Sequence, residues 1–181
     1  MTGVSEQPGR YQRSFGGMVA AMAVLVALLV GYVVVRNIFY STDGPSPVQP
    51  VDYQQPAHYA RRAADFHLLA PRSLPPGWIA TSVRFTAGQD QDQAWHLGAL
   101  TSGGKYVGLE QAQTSAADMV DKYVDPQATQ GKDRTIDGRR WETWSDAGGD
   151  QALVREAQGV TTLLVGAVPE STLESYLATL R

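Results

Sequence analysis

The sequence contains no cysteine among its 181 residues, which excludes disulfides, thiol redox chemistry and cysteine ligands for metals. An excess of positive charge is also missing, because 15 basic residues face 18 acidic ones and the net charge is −3. A nucleic-acid footprint needs a basic stripe or patch, and the chain has none. We therefore expect no nucleic-acid partner.

Recognisable catalytic and metal motifs are missing as well. The histidines number three and are scattered: His58, His67 and His96. Zinc sites need three or four convergent ligands at short spacings, which these histidines do not offer. No Gly-x-Ser-x-Gly elbow occurs, and the Gly-x-x-x-x-Gly-Lys-Ser/Thr pattern of a phosphate-binding loop is absent around residues 102–105. The sequence thus predicts no catalytic residue, no metal and no cofactor, and we expect a protein that is not an enzyme.

One long apolar run is present, and it covers residues 15–35 without a charged side chain. About 20 apolar residues match the thickness of a bilayer, so the run predicts a transmembrane helix over residues 15–36. Arg10 and Arg13 precede it, which favours a cytoplasmic tail over residues 1–14. A cleaved signal peptide is the alternative, but signal h-regions are shorter and residues 33–40 offer no small-x-small site.

The rest of the chain divides into a linker and one domain. Residues 37–56 contain four prolines and few apolar residues, so we expect a Pro-rich linker there. Residues 57–181 are long enough for a single hydrophobic core and are expected to form one extracytoplasmic domain. The predicted localisation is the cell membrane, with a single pass. Oligomeric state stays open, because small residues spaced along the span are weak evidence of dimers.

Hairpins dominate the predicted domain. A strand over 78–86 would place Ile79, Thr81, Val83 and Phe85 on one face. Strand pairs follow at 95–100 with 106–111, around Asp137-Gly138, and at 151–155 with 160–165.

Helices are predicted over residues 116–124, with Thr114 or Ser115 as the N-cap, and from a capping box at 171–174 onward. The sequence leaves open whether residues 58–64 form a further short helix. Hairpins force antiparallel pairing, so the fold class is α+β: an antiparallel sheet with one or two helices packed on one face.

A contact surface on this domain is the candidate functional site. The residues proposed for it are Lys105, Glu110, Arg140, Trp141 and Trp144. On a strand Trp141 and Trp144 point to opposite faces, so at least one is expected to point away from the core, where an aromatic ring beside an arginine suits partner binding. Charge reversal at Glu110 or Arg140 should then weaken binding and leave the fold intact.

The chain also resembles a known family. The resemblance rests on residues 70–71 (AP), 74–78 (LPPGW), 81–85 (TSVRF), 95–98 (WHLG), 104–111 (GKYVGLEQ) and 137–141 (DGRRW). With these segments the chain resembles the domain-of-unknown-function 4245 family of actinobacterial membrane proteins. The resemblance implies a cell-envelope protein and brings no catalytic residues.

Two functions remain open from the sequence, and a hydrolase is a distant third because no nucleophile–base pair is visible. The first is a non-enzymatic module that presents its domain to an envelope protein or cell-wall partner. The second is a small-molecule or lipid binder with a pocket between sheet and helices, which the abundance of aromatic and aliphatic side chains on few strands suggests.

Overall fold

A computed structural model of the chain describes residues 48–88 and 92–181, together with six isolated positions between residues 22 and 32. The chain divides into two units, Met1–Pro47 and Val48–Arg181. In the first unit the six described positions are helical and exposed. The predicted transmembrane helix over 15–36 otherwise lies outside the described residues, and no helix that the structure describes is long and apolar enough to cross a bilayer.

The second unit is built on one antiparallel sheet. Its strands are β1 (Ile79–Thr86), β2 (Ala94–Leu100), β3 (Tyr106–Ala112), β4 (Thr129–Gln130), β5 (Arg134–Ile136), β6 (Arg139–Ser145), β7 (Gln151–Ala157) and β8 (Val160–Gly166). The spatial order is β1-β2-β3-β8-β7-β6-β4, and β5 pairs with β6. Every pairing is antiparallel, so the predicted α+β class with an antiparallel sheet is confirmed.

Three helices in the described region cover the sheet: α1 (Gln54–Ala63), α2 (Ala116–Tyr123) and α3 (Glu170–Leu177). Helices α1 and α3 pack on one face, here called the core face, and α2 packs on the other, the α2 face. The expectation of one or two helices on one face is therefore wrong in number and placement. A central antiparallel strand with apolar residues on both sides needs cover on both faces.

The main core lies between the core face and helices α1 and α3. Leu97, Leu109, Leu153 and Leu164 project from four strands and are fully buried there. Each such leucine contributes about 1.5–3 kcal/mol relative to an exposed one. The smaller cluster lies under α2 and includes Met119 and Val120 of the helix. The unit therefore has its own core and needs no disulfide.

The folded unit begins earlier than the predicted domain boundary at residue 57. The Val51 N–H donates to the Ala80 carbonyl oxygen at 2.9 Å, and Tyr53 is only 7% exposed. Helix α1 then begins at Gln54, within the segment expected to be a linker.

The predicted turns and one predicted cap are confirmed. Asp137 and Gly138 have φ of 49° and 72° and join β5 to β6, as an Asp-Gly hairpin requires. Ser115 caps α2, because its hydroxyl accepts from the Asp118 N–H at 3.2 Å. The capping box at 171–174 is wrong: α3 begins at Glu170, two residues earlier than the box predicts, and its N-cap residue Pro169 offers no side-chain cap.

Strand β1 also departs from the prediction. A β-bulge between Ala80 and Ser82 shifts its alternation by one residue. Ala80 joins Val83 and Phe85 in the main core, so the expected single face of Ile79, Thr81, Val83 and Phe85 is wrong for its first two members. After the bulge, Ser82 points to the α2 face.

Candidate functional site

A pocket opens on the α2 face because α2 covers only part of the sheet. The helix has eight residues, which makes it about 12 Å long, and it contacts β7 and β8. Neighbouring strands are about 4.8 Å apart, so one short helix cannot span an eight-stranded sheet. On the α2 face of β1, β2 and β3, α2 therefore forms only one wall of the space above the sheet.

Three polar side chains on this face form a connected relay. Ser82, His96 and Glu110 lie on β1, β2 and β3, and the register places His96 directly opposite Glu110. The Ser82 Oγ lies 2.7 Å from His96 Nε2, and His96 Nδ1 is hydrogen-bonded to Glu110 Oε1. The His96 side chain is 17% exposed and that of Glu110 is 5% exposed.

The roles of the two ring nitrogens of His96 depend on its tautomer, and an ionised Glu110 selects one of the two. An ionised carboxylate only accepts hydrogen bonds, so His96 Nδ1 must carry the proton that it donates to Glu110. In neutral His96 the Nε2 atom then has a free lone pair, which accepts from the Ser82 hydroxyl. The relay thus presents a polarised hydroxyl next to a base that is held in one orientation.

Tyr106 covers the Ser82 end of the relay. Its ring lies over Gly98 and Gly108, which are partners across β2 and β3. If Gly98 carried a Cβ atom, that atom would lie 2.7 Å from Tyr106 Oη and closer still to Ser82 Oγ. The glycines therefore create the space for the ring. Burial raises the pKa of the Tyr106 hydroxyl, and the charge of Glu110 adds to this rise, while a hydrogen bond with Ser82 opposes it.

The pocket beside the relay has a volume of about 520 Å³, and His96 and Glu110 form part of its lining. Arg84 of β1 and Lys122 of α2 add positive charge to it, and Tyr123 adds an aromatic wall. This size and mixed polarity are typical of small-molecule sites.

A second cleft lies on the core face, with a volume of about 680 Å³. Arg139, Arg155 and His67 line it, and Gln111 at its floor donates to Thr162 Oγ1 at 3.1 Å. Among the described residues no carboxylate lies within salt-bridge distance of either arginine. The cleft is basic, but it has no coupled pair of reactive side chains comparable to the relay. In the part of the chain that the structure describes, no group of acidic and histidine side chains could hold a metal ion.

The structure does not bring the five sequence-predicted residues together. Glu110 lies in the relay, whereas Lys105 is exposed at the β2–β3 turn and Arg140 is exposed on β6, paired with Asp133. Trp141 is 3% exposed in the main core. Trp144 points to the α2 face, as expected from alternation, but it packs half-buried against the smaller cluster.

Burial changes the expectation for Glu110. A reversed charge there would be enclosed beside His96 without a partner, which costs several kcal/mol, so the fold would not stay intact. Ser82, His96 and Tyr106 were not proposed from the sequence. The hairpin register already implied the His96–Glu110 pair, because 100 opposite 106 puts 96 opposite 110.

These features define an α+β protein with one antiparallel sheet and a polar site on one face. The chain belongs to the DUF4245 family, described as a protein of unknown function, whose model matches residues 10–180. No curated protein matches the chain. Among solved structures, the complex of Pseudomonas aeruginosa MucA/MucB is similar at 16% identity, with a TM-score of 0.35. The match covers 62% of this chain and 34% of that chain, and similarity at this level supports no inference about function.

Proposed function

We propose that this protein is a single-pass membrane protein of the cell envelope whose folded unit binds a small molecule in the pocket beside His96. Its tail over residues 1–14 is cytoplasmic and the unit is extracytoplasmic. The anchor rests on the uncharged apolar run over residues 15–35, and the orientation rests on Arg10 and Arg13 before it.

One observation carries the binding function: Glu110 is buried at the edge of an open pocket. Burying a carboxylate is unfavourable unless it is well paired, and replacing such a pair with apolar residues is often stabilising. A buried acid–imidazole pair that borders a pocket therefore points to a ligand and not to stability. Arg84 and Lys122 offer charged contacts to the same ligand.

A protein partner is the competing proposal, and the geometry favours it less. The residues proposed for that surface lie on different faces, and one of its two tryptophans is in the core. Arg140, which remains exposed, is already paired with Asp133.

Native mass spectrometry of the chain purified from its native host tests the binding function. We expect a discrete added mass on the wild-type protein that is lost in His96→Gln and retained in His58→Gln. His58 is an exposed histidine on α1 and serves as the matched control. A bare mass for the wild-type protein, together with cross-links to another protein at Arg140, would replace this proposal with the interaction module.

Protease protection in intact cells tests the topology. A tag after Arg181 should be digested from outside, whereas a tag before Met1 should be protected. The reverse pattern would refute the orientation.

A further inference from the structure

We propose that Ser82 is a nucleophile that cleaves carboxylic esters, with His96 as general base and Glu110 as the residue that positions His96. This inference rests on the proposed function, because the ester enters the pocket that His96 and Glu110 line. Ser82 is not part of that lining and is connected to it through His96. It adds an activity that the sequence motifs did not indicate.

The relay meets two geometric conditions for nucleophilic catalysis. A nucleophile must lie within hydrogen-bond reach of its base, and Ser82 Oγ lies 2.7 Å from His96 Nε2. The base must be oriented by a third group, and Glu110 holds His96 Nδ1 from the opposite side. Alternation alone brings these groups together, since all three point to one face of three adjacent strands.

The reaction needs only water as a second reactant. Ser82 Oγ bonds to the ester carbonyl carbon, its proton passes to His96 Nε2, and the bond from that carbon to the alcohol oxygen breaks. The alcohol leaves with the proton from His96. Water then attacks the acyl group with His96 as base, the bond to Ser82 Oγ breaks, and Ser82 regains its proton.

Stabilisation of the oxyanion decides which substrates can react. Backbone N–H groups of β1, β2 and β3 lie in the plane of the sheet, directed at neighbouring strands, so they cannot point at an oxygen above the sheet face. The Tyr106 hydroxyl lies over Gly98 next to Ser82 Oγ and is the donor in position. A tyrosine hydroxyl can serve this purpose. A single donor gives weak catalysis, which favours esters over the less electrophilic amides.

Labelling with a fluorophosphonate probe tests the nucleophile directly. Ser82 Oγ would bond to phosphorus and fluoride would leave, with the Ser82 proton taken up by His96. On the purified full-length chain we expect one adduct, mapped to Ser82 by peptide mass spectrometry. General bases contribute roughly 10²–10⁴-fold, so His96→Gln should slow labelling at least about a hundredfold. Ser82→Ala should abolish it.

Matched variants separate a catalytic effect from a loss of structure. Ser102→Ala changes an exposed turn serine and should label at the wild-type rate. Tyr106→Phe keeps the ring over the two glycines and loses only the hydroxyl. It should slow hydrolysis of p-nitrophenyl acetate about tenfold or more while leaving the circular dichroism spectrum unchanged.

Each result separates this inference from the proposed function. No adduct on Ser82 at saturating probe, or equal labelling rates in folded His96→Gln, would overturn the nucleophile. A non-covalent added mass in native mass spectrometry together with an unlabelled Ser82 would leave the binding function standing and remove the activity alone.

Discussion

Replacing Tyr176 by phenylalanine should stabilise the folded unit. Tyr176 lies on α3 and is 1% exposed, and its ring centroid is 5.1 Å from that of Trp78. Its hydroxyl has no hydrogen-bond partner among the described residues. A buried, unpaired polar group costs about 1–3 kcal/mol, so Tyr176→Phe should raise the free energy of unfolding by about 1 kcal/mol at neutral pH.

The gain should increase in alkaline solution. Burial raises the pKa of the Tyr176 hydroxyl, and repulsion from Tyr53 and Tyr106 adds to this rise. Below pH 10, the ordinary tyrosine pKa, the folded and unfolded states both keep the phenolic proton, so ionisation of Tyr176 takes nothing from the stability. Above pH 10 the unfolded state releases it first, so wild-type stability falls by about 1.4 kcal/mol per pH unit until the folded-state pKa is reached. The phenylalanine variant lacks this loss, and its advantage should be about 1.4 kcal/mol larger at pH 11.

Urea unfolding of Val48–Arg181 at pH 7 and pH 11 measures both the gain at neutral pH and its increase in alkaline solution. Tryptophan fluorescence reports directly, because Trp78 stacks near Tyr176. Tyr59→Phe is the control, since Tyr59 is 57% exposed and its loss should change neither value appreciably. If Tyr176→Phe lowers the free energy of unfolding at pH 7, the hydroxyl has a hydrogen-bond partner. If the variant's stability advantage is the same at pH 7 and pH 11, Tyr176 is not the group that resists ionisation.

Three further substitutions test the packing. Leu164→Ala removes a fully buried side chain from the main core and should lower the free energy of unfolding by about 2–5 kcal/mol in urea titration; a loss below 1 kcal/mol would contradict the core assignment. Gly98→Ala pushes a methyl group into Tyr106 and Ser82, and should cost about 1–3 kcal/mol in the same assay, whereas a neutral result would show that the ring does not occupy this place. Arg140→Gln breaks the ion pair with Asp133 on a side chain that is 80% exposed, so the melting temperature of the variant should stay within about 1–2 °C of the wild-type value. A larger drop would mean that the ion pair stabilises the fold.

Local turn chemistry made much of the fold predictable. An Asp-Gly pair accepts the positive φ values that a tight hairpin needs, and the structure places the β5–β6 turn at Asp137-Gly138. Alternation within each hairpin arm then fixed which residues share a face. The α+β class follows from these short-range signals together with the cap at Ser115.

Features that depend on distant contacts were not predictable in the same way. The bulge in β1 has no marker in the sequence around Thr81, yet it moves Ala80 into the core and leaves Ser82 on the opposite face. The capping box at 171–174 is wrong because α3 begins two residues earlier, with Pro169 as its N-cap residue. The sequence predicts a place on a contact surface for Trp141, whereas tertiary packing buries it in the main core among residues from distant parts of the chain.

The candidate site lies on a part of the α2 face that α2 borders but does not cover. Where α2 covers β7 and β8, the α2 face carries Val154, Leu163 and Val165; across β2 and β3 it carries His96, Gly98, Gly108 and Glu110 instead. Apolar side chains on both faces would have called for a longer helix or a second one. The polar and glycine positions make cover unnecessary, and they leave room for Tyr106 and for a ligand. The same alternation that buries one face in the core therefore aligns Ser82, His96 and Glu110 on the α2 face, beside the open pocket.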